Sequence, residues 1–244
     1  MFKSTAGYVE KLGPTIQELI LMLYAMGALI IGEPRRLKYH DQHPEAPLSQ
    51  VYFNLRGKPK GNLSPYQLNL LGRSFTRWLT CQGTETIILA KYIAGIPNAG
   101  EALAEGFLDG LHDEGIGGVE LIHLEKEESA GSRRILCGEI PSNLAIGARV
   151  IMVDDVCSDG ESKIEAAAVL RSIGLNPTDC LVFIDREQGG HERLRAGGIT
   201  LRASCSVSTC LDSLVEMGLI DPDSRSAIDK SLSDLSEYMM NHPG

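Results

Sequence analysis

The chain has no CxxC pair among its six cysteines, Cys81, Cys137, Cys157, Cys180, Cys205 and Cys210. Neither a zinc site nor a disulfide framework is therefore indicated. Several of these cysteines stand in apolar runs, which suits reduced core residues of a cytosolic protein. Long apolar runs are also missing. The best, Leu19 to Ile31, has 13 residues, against the roughly 20 that a membrane-spanning helix needs. No basic cluster leads that run and no small-residue cleavage site follows it, so neither a membrane partner nor a targeting segment is expected. Positive charge is in short supply: the net charge is −9, which disfavours a nucleic-acid partner. An anionic substrate would need a local basic site or a metal. His40 and His43 form an HxxH in a presumed loop but lack a third ligand at useful spacing. They are read as surface histidines, not as a metal site. Internal repeats and low-complexity segments are absent.

What remains is ordinary globular composition, 43% apolar and 23% charged. A chain of 244 residues buries a sizeable core as one large domain, or as a domain with appendages. Thr15 to Ile31 reads as an apolar helix stopped by Gly32 and Pro34, and 33–49 as a polar loop with three prolines. Val51 to Leu55 is a short strand candidate. Ser64-Pro65 opens a helix that runs to about Cys81, with an N-cap and a proline at the first helical position. An alternating rhythm follows: strand Thr86–Ile93, helix Ala99–Leu111, strand Val119–Leu124, then a polar segment from Glu125 to Ser142. Beyond it come strand Cys180–Ile184, a short helix at His191–Arg195 and strand Ile199–Ala203. Alternation of this kind implies an α/β fold, a mostly parallel central sheet with helices on both faces. From Ser206 onward the pattern is helical, with Asp221-Pro222 starting a terminal helix that reaches about Met240.

The most informative stretch is Val150 to Ser162. Four apolar residues, Val150 to Val153, precede Asp154 and Asp155, and Ser158, Gly160 and Ser162 then lead into a helix from Glu161 to Ile173. A buried parallel strand thus delivers two carboxylates to its carboxyl end, where open α/β sheets bind ligands. Small residues and free N–H groups at a helix start suit a phosphate. Acids beside a phosphate cradle fit a sugar phosphate, whose hydroxyls need acceptors while its phosphate needs donors. The bland alternative is two acids that suit the dipole of the following helix.

This arrangement resembles the phosphoribosyl-pyrophosphate motif of type I phosphoribosyltransferases. The resemblance implies that Asp154 and Asp155 face the ribose hydroxyls, and that Cys157, Ser158, Asp159, Gly160, Glu161 and Ser162 wrap the 5′-phosphate. Four more segments are similar to orotate phosphoribosyltransferases, including the amino-terminal half of UMP synthases. Glu18 to Glu33 looks like the helix and turn that open the hood, the small subdomain over the base. Ser49 to Arg56 looks like the hood strand, so that Tyr52 and Phe53 would flank a pyrimidine. Ile93 to Ala104 resembles the pyrophosphate-binding loop, with Gly95, Asn98 and Ala99 at a helix start. Asp185-Arg-Glu-Gln-Gly-Gly190 resembles the segment whose arginine meets orotate, which assigns that role to Arg186. A planar guanidinium suits an acidic pyrimidine. The alternative for Arg186 is a structural pair with Asp185 or Glu187.

The resemblance covers about Glu18 to Gly218. It implies a phosphoribosyltransferase domain over residues 1–218, with a hood from about 15–60, and a helical extension over 219–244. The implied reaction is Mg²⁺-assisted transfer of ribose 5-phosphate from phosphoribosyl pyrophosphate to orotate, with the metal carried by the pyrophosphate, in a cytoplasmic homodimer. One segment departs from the family pattern. The mobile lid, which in the family closes over the partner subunit's site, usually begins Arg-Lys-Glu, continues with a second lysine, and has a histidine or aromatic before its glycine. Here Lys126 and Glu127 match and keep Lys126 as the catalytic lysine, but Glu125, Glu128 and Ala130 replace the other positions. Arg133 and Arg134 are the remaining basic candidates for substrate binding. Each extra carboxylate opposes a pyrophosphate. Two further readings therefore stay open: a phosphoribosyltransferase for another base, and a catalytically weak nucleotide-binding or regulatory protein.

Overall fold

The computed structural model describes residues 14–81, 90–129 and 132–242. Its first helix, α1 (Ile16–Ala25), starts on a full capping box between Thr15 and Glu18. It ends earlier than the apolar run suggests. Gly27 takes the left-handed conformation (φ 64°), and the Ala28 amide reaches back to the Leu23 carbonyl at 2.9 Å, a helix-ending turn that glycine favours. The β-branched residues beyond it join β1 (Leu29–Arg35), which pairs antiparallel with β2 (Ser49–Phe53). Gly32 and Pro34 therefore lie within a strand and do not stop a helix. Proline is tolerated there because this sheet has only two strands, both edges.

The loop between β1 and β2 carries a second correction. His40 is not a surface residue; it is fully buried. One ring nitrogen meets the Leu37 amide at 2.9 Å and the other the Pro47 carbonyl at 3.1 Å. The imidazole staples the loop by satisfying backbone groups that burial would otherwise strand.

Helix α2 (Pro65–Cys81) leads to the main sheet. Its strands are β3 (Tyr92–Gly95), β4 (Glu120–Ser129), β5 (Ser132–Cys137), β6 (Arg149–Cys157), β7 (Asn176–Asp185) and β8 (Thr200–Ser206), in spatial order β5-β4-β3-β6-β7-β8. All neighbours are parallel except β5, which runs antiparallel to β4. Of the strand expected at Thr86–Ile93, residues 86–89 lie outside the described residues, and β3 runs two residues further on. Connecting helices are α3 (Gly100–Asp113), α4 (Glu161–Ser172) and α5 (Gly190–Ala196), followed by α6 (Val207–Glu216) and α7 (Pro222–Asn241).

The central strands are buried on both faces, which explains why their sequences run apolar without alternation. Ile93, Ile151, Val153 and Phe183 face a cluster that includes Phe75 of α2 and Phe107 of α3. Tyr92, Val150, Met152 and Val182 face a second cluster that includes Ala166 and Leu170 of α4. Phe75 and Phe107 meet edge to face at 6.2 Å, a favoured aromatic geometry.

The expected polar segment after Leu124 is instead a β-hairpin. β4 continues to Ser129 and β5 returns, with Glu127 opposite Arg134 and Lys126 opposite Ile135. Opposite charges across an antiparallel pair stabilise it, so acids that look like loop residues serve as strand residues. Glu165 of α4 accepts a 2.6 Å hydrogen bond from the Ile135 amide, which fastens the hairpin to the body.

Candidate active site

The sheet order reverses between β3 and β6: the chain leaves β3 toward β4, then returns to the other side of β3 as β6. Open α/β sheets bind ligands at such a switch. A cavity of about 370 Å³ opens there, lined by the turns after β3 and β6, the end of β7, and the hood.

Asp154 and Asp155 lie near the end of β6, three and two residues before Cys157, and both line the cavity. Their surroundings differ. Asp154 is buried and pairs with the Lys163 ammonium at 2.5 Å. Lys163 also donates to the Val156 carbonyl at 2.6 Å and lies 3.4 Å from the Ser162 hydroxyl. Burial opposes the charge on Lys163, but Asp154 and its neighbours outweigh burial and hold the lysine above its ordinary range. Asp155 has no cation bonded to it among the described residues. Burial, then the neighbouring Asp154, push its pKa up to about 7, with Lys163 and the Val156 amide opposing. The pair thus supplies one fixed carboxylate and one that titrates near neutrality. Lys163 went unnoticed in the sequence. Its signal was a lysine at the third position of the helix that follows the acids, where one turn brings it back over the strand.

The turn after β6 contributes Ser158, Asp159, Gly160, Glu161 and Ser162 to the cavity. Gly160 precedes α4 with φ 80°, a conformation that glycine adopts freely and that exposes the first amides of the helix. Asp159 already accepts from the Glu161 amide at 3.2 Å and meets Arg193 at 3.4 Å. Glu161 pairs with Lys38 of the hood loop at 3.0 Å. Cys157 corrects the expectation of a phosphate contact: it is fully buried in the second core cluster. Val156 lines the cavity, while the Cys157 thiol packs into the core. Burial raises that thiol to about 12, an unreactive state.

The turn after β3 brings Asn98 and Ala99 to the cavity. Asn98 has φ 108°, a strained conformation for a non-glycine residue, of the kind that accumulates at functional loops. Gly95 does not reach the cavity. It faces a small hollow shared with Glu101 and His123, and an added Cβ there would meet the Glu101 backbone. Glu101 likewise stands outside the cavity.

Tyr52, Phe53 and Arg186 all line the hood side. Arg186 is buried, and its guanidinium donates to Gln188 Oε1 (3.1 Å), Ser49 Oγ (3.0 Å) and the Val51 carbonyl (3.2 Å). These bonds tie β2 to the end of β7. Neither adjacent acid pairs with it: Asp185 accepts the Glu187 amide, and Glu187 binds Ser208. Nη1 has no partner among the described residues. Burial without a carboxylate lowers Arg186 to about 10. A buried cation with spare planar donors is a receptor for an anion.

The hairpin residues are elsewhere. Lys126 and Arg134 do not line the cavity, because the hairpin lies beside α4 at the sheet's far edge; the side chain of Arg133 lies outside the described residues.

No family model matches the chain. Individual proteins do. Orotate phosphoribosyltransferase of Cenarchaeum symbiosum is 43% identical over 178 residues, 72% of this chain and 80% of the relative. This chain belongs to the orotate phosphoribosyltransferase family. Uridine 5′-monophosphate synthase of Bos taurus is 38% identical over 91 residues, 37% of this chain. The solved structure of Leishmania donovani UMP synthase superimposes with a TM-score of 0.67 and 24% identity over 91% of this chain. The chain spans only 18% of the bovine relative and 42% of the Leishmania one. Among solved orotate phosphoribosyltransferases the fold recurs, so the architecture is that of a type I phosphoribosyltransferase.

Proposed function

We propose that the chain transfers ribose 5-phosphate from phosphoribosyl pyrophosphate to N1 of orotate, giving orotidine 5′-monophosphate and pyrophosphate for pyrimidine synthesis. One observation carries this reading: a single cavity joins an acid pair, a glycine-opened helix start and a buried arginine without a carboxylate. Asp155 suits the ribose hydroxyls as acceptor, with Asp154 fixed beside it by Lys163. The α4 amides and Ser162 suit the 5′-phosphate, which would displace the Asp159 carboxylate from the Glu161 amide. Tyr52 and Phe53 supply apolar walls for a flat base, and Nη1 of Arg186 suits its carboxylate or carbonyl oxygens.

Breaking the bond between C1 and the pyrophosphate leaves an oxocarbenium-like ribose and a highly charged leaving group. The cavity is lined by four cationic side chains (Lys38, Arg56, Lys163, Arg186) and four anionic ones (Asp154, Asp155, Asp159, Glu161). It is not a basic well, so further positive charge has to arrive with the substrate or from a second subunit. No cluster of described His, Cys, Asp and Glu residues could cage a metal. That donor set fits Mg²⁺, which keeps its waters and binds through substrate phosphates plus one or two carboxylates, with Asp155 the available protein donor. When bound, the ion would neutralise charge developing on pyrophosphate. Alignment of base and ribose by the walls supplies much of the remaining rate.

A homodimer would let the hairpin of one subunit reach its partner's cavity, and the free cysteines among the described residues accord with a cytoplasmic location. A second reading, a nucleotide binder with little turnover, draws support from the acidic hairpin and its position beside α4. An assay of orotate consumption with phosphoribosyl pyrophosphate and Mg²⁺ decides between them. Depletion that Asp155→Asn abolishes supports transfer. Sugar-phosphate binding without depletion of orotate supports the binder.

A further inference from the structure

The terminal helix α7 carries a narrow apolar stripe: Ile228, Leu232, Leu235 and Met239, spaced by four, three and four residues. This is one face of a helix. Ile228 and Leu235 are buried. The last member, Met239, does not join the core. It lines the cavity. The stripe thus ends in the candidate active site, a placement that its helical periodicity alone does not announce.

The same end of α7 is bound to the hood loop between β1 and β2. The Tyr238 hydroxyl donates to Glu45 at 2.5 Å, and the Tyr39 hydroxyl to the His242 carbonyl at 2.7 Å. Tyr39 stacks on His43 at 4.4 Å, Tyr238 stacks on His242 at 4.2 Å, and the two stacks meet edge to face through Tyr39 and Tyr238. Nearer the start of the helix, Arg225 pairs with Asp212 of α6. The helix is therefore a strut, rooted on α6 and clasped to the hood. Tyr39 itself lines the cavity, so the clasp holds a cavity wall from behind.

We propose that α7 completes the base-binding end of the cavity: Met239 contacts the base, and Tyr238 is a positioning residue that holds the hood loop in place. This rests on the transferase reading for the identity of the base, but the clasp itself is independent of it. The base end is assigned because α7 packs on the start of β2: the Ser231 hydroxyl donates to the Leu48 carbonyl at 3.1 Å, next to Ser49, whose hydroxyl accepts from Arg186. Methionine suits a flat ring, since its flexible, polarizable thioether adapts to aromatic edges.

The test uses the full chain with Met239→Ala, Met239→Leu and Tyr238→Phe. Met239→Ala should raise KM for orotate about fivefold, as partial loss of one apolar side chain implies, and leave KM for phosphoribosyl pyrophosphate unchanged. Met239→Leu, close in volume, should restore most of the loss. Tyr238→Phe should speed hydrogen exchange in residues 37–48 and raise KM for orotate without a matching fall in kcat. Unchanged orotate KM in Met239→Ala, or unchanged exchange in Tyr238→Phe, overturns the proposal. A wild-type chain that turns over no orotate, together with faster exchange of residues 37–48 in Tyr238→Phe, overturns the transferase reading and keeps the clasp.

Discussion

Two acidic segments of this chain lie in the carboxyl-terminal parts of parallel strands, β6 and β4, and they end differently. After Val153, Asp154 and Asp155 converge with Lys163 on a cavity. After Leu124, Glu125 and Glu127 stand exposed on a hairpin, with Glu127 opposite Arg134 across the strands. The first segment concentrates charge where water is scarce and geometry is set by a turn and a helix. The second spreads charge along a solvated ladder, where opposite signs in register stabilise structure. Equal formal charge thus serves ligand binding in one place and strand pairing in the other. Burial and the next element in the chain make the difference.

That contrast can be broken most forcefully at Asp154. Asp154→Asn strands the Lys163 ammonium without its counter-ion, and the loss of one member of a buried pair costs about 3 kcal/mol or more. Chemical denaturation should show it, and transfer activity should vanish. Adding Lys163→Met should recover much of the stability and none of the activity, which separates the structural role of the pair from its chemical one.

Asp155 offers a pH signature. Its folded pKa, about 7 against an ordinary 3.8, means the folded state holds this proton more tightly than the unfolded chain. Its stabilising contribution is complete below pH 3.8 and is lost as pH rises through 7. Asp155→Asn should therefore gain stability relative to wild type across that window, on the order of 4 kcal/mol, and level off above it. Sugar-phosphate affinity should show the reverse in wild type, falling below pH 7 as the carboxylate takes up its proton. A pH-independent difference in melting between the two chains would remove the shift.

The hairpin should respond more mildly. Glu165→Ala removes the acceptor for the Ile135 amide, at a cost of about 1 kcal/mol, and exchange should rise along β5 with little change in the melting of the body. Smallest is Arg134→Glu, which sets like charges opposite each other and costs about 0.5 kcal/mol. A large loss of turnover from so small a loss of stability would show that the hairpin works in a partner's cavity. Unchanged turnover would confine it to structure.

The alternating core was legible because both-face burial leaves an unmistakable apolar run at β6 and β7, and because Ser64-Pro65 and Asp221-Pro222 announce their helices. The hood was less legible. Leu29 to Ile31 suits a helix or a strand equally, and only the left-handed Gly27, with the backward hydrogen bond of Ala28, ends the helix at Ala25, six residues before the apolar run does. His40 looked like a surface histidine because polarity in a loop usually means exposure; here it serves the backbone groups of a buried turn.

The site divides along the same line. Asp154, Asp155 and Gly160 could be named from local order, since a strand, a turn and a helix start fix their neighbours within a few residues, and Arg186 from the resemblance of its segment. Which way each side chain faces was decided by the tertiary structure, which turned Cys157 and Gly95 away from the cavity and brought Lys163, Tyr39 and Met239 to it. Strand, turn and helix are short-range consequences of sequence, whereas a cavity wall can be assembled from segments as far apart in the chain as Tyr39 and Met239, and only the packing of the whole chain determines which of them meet.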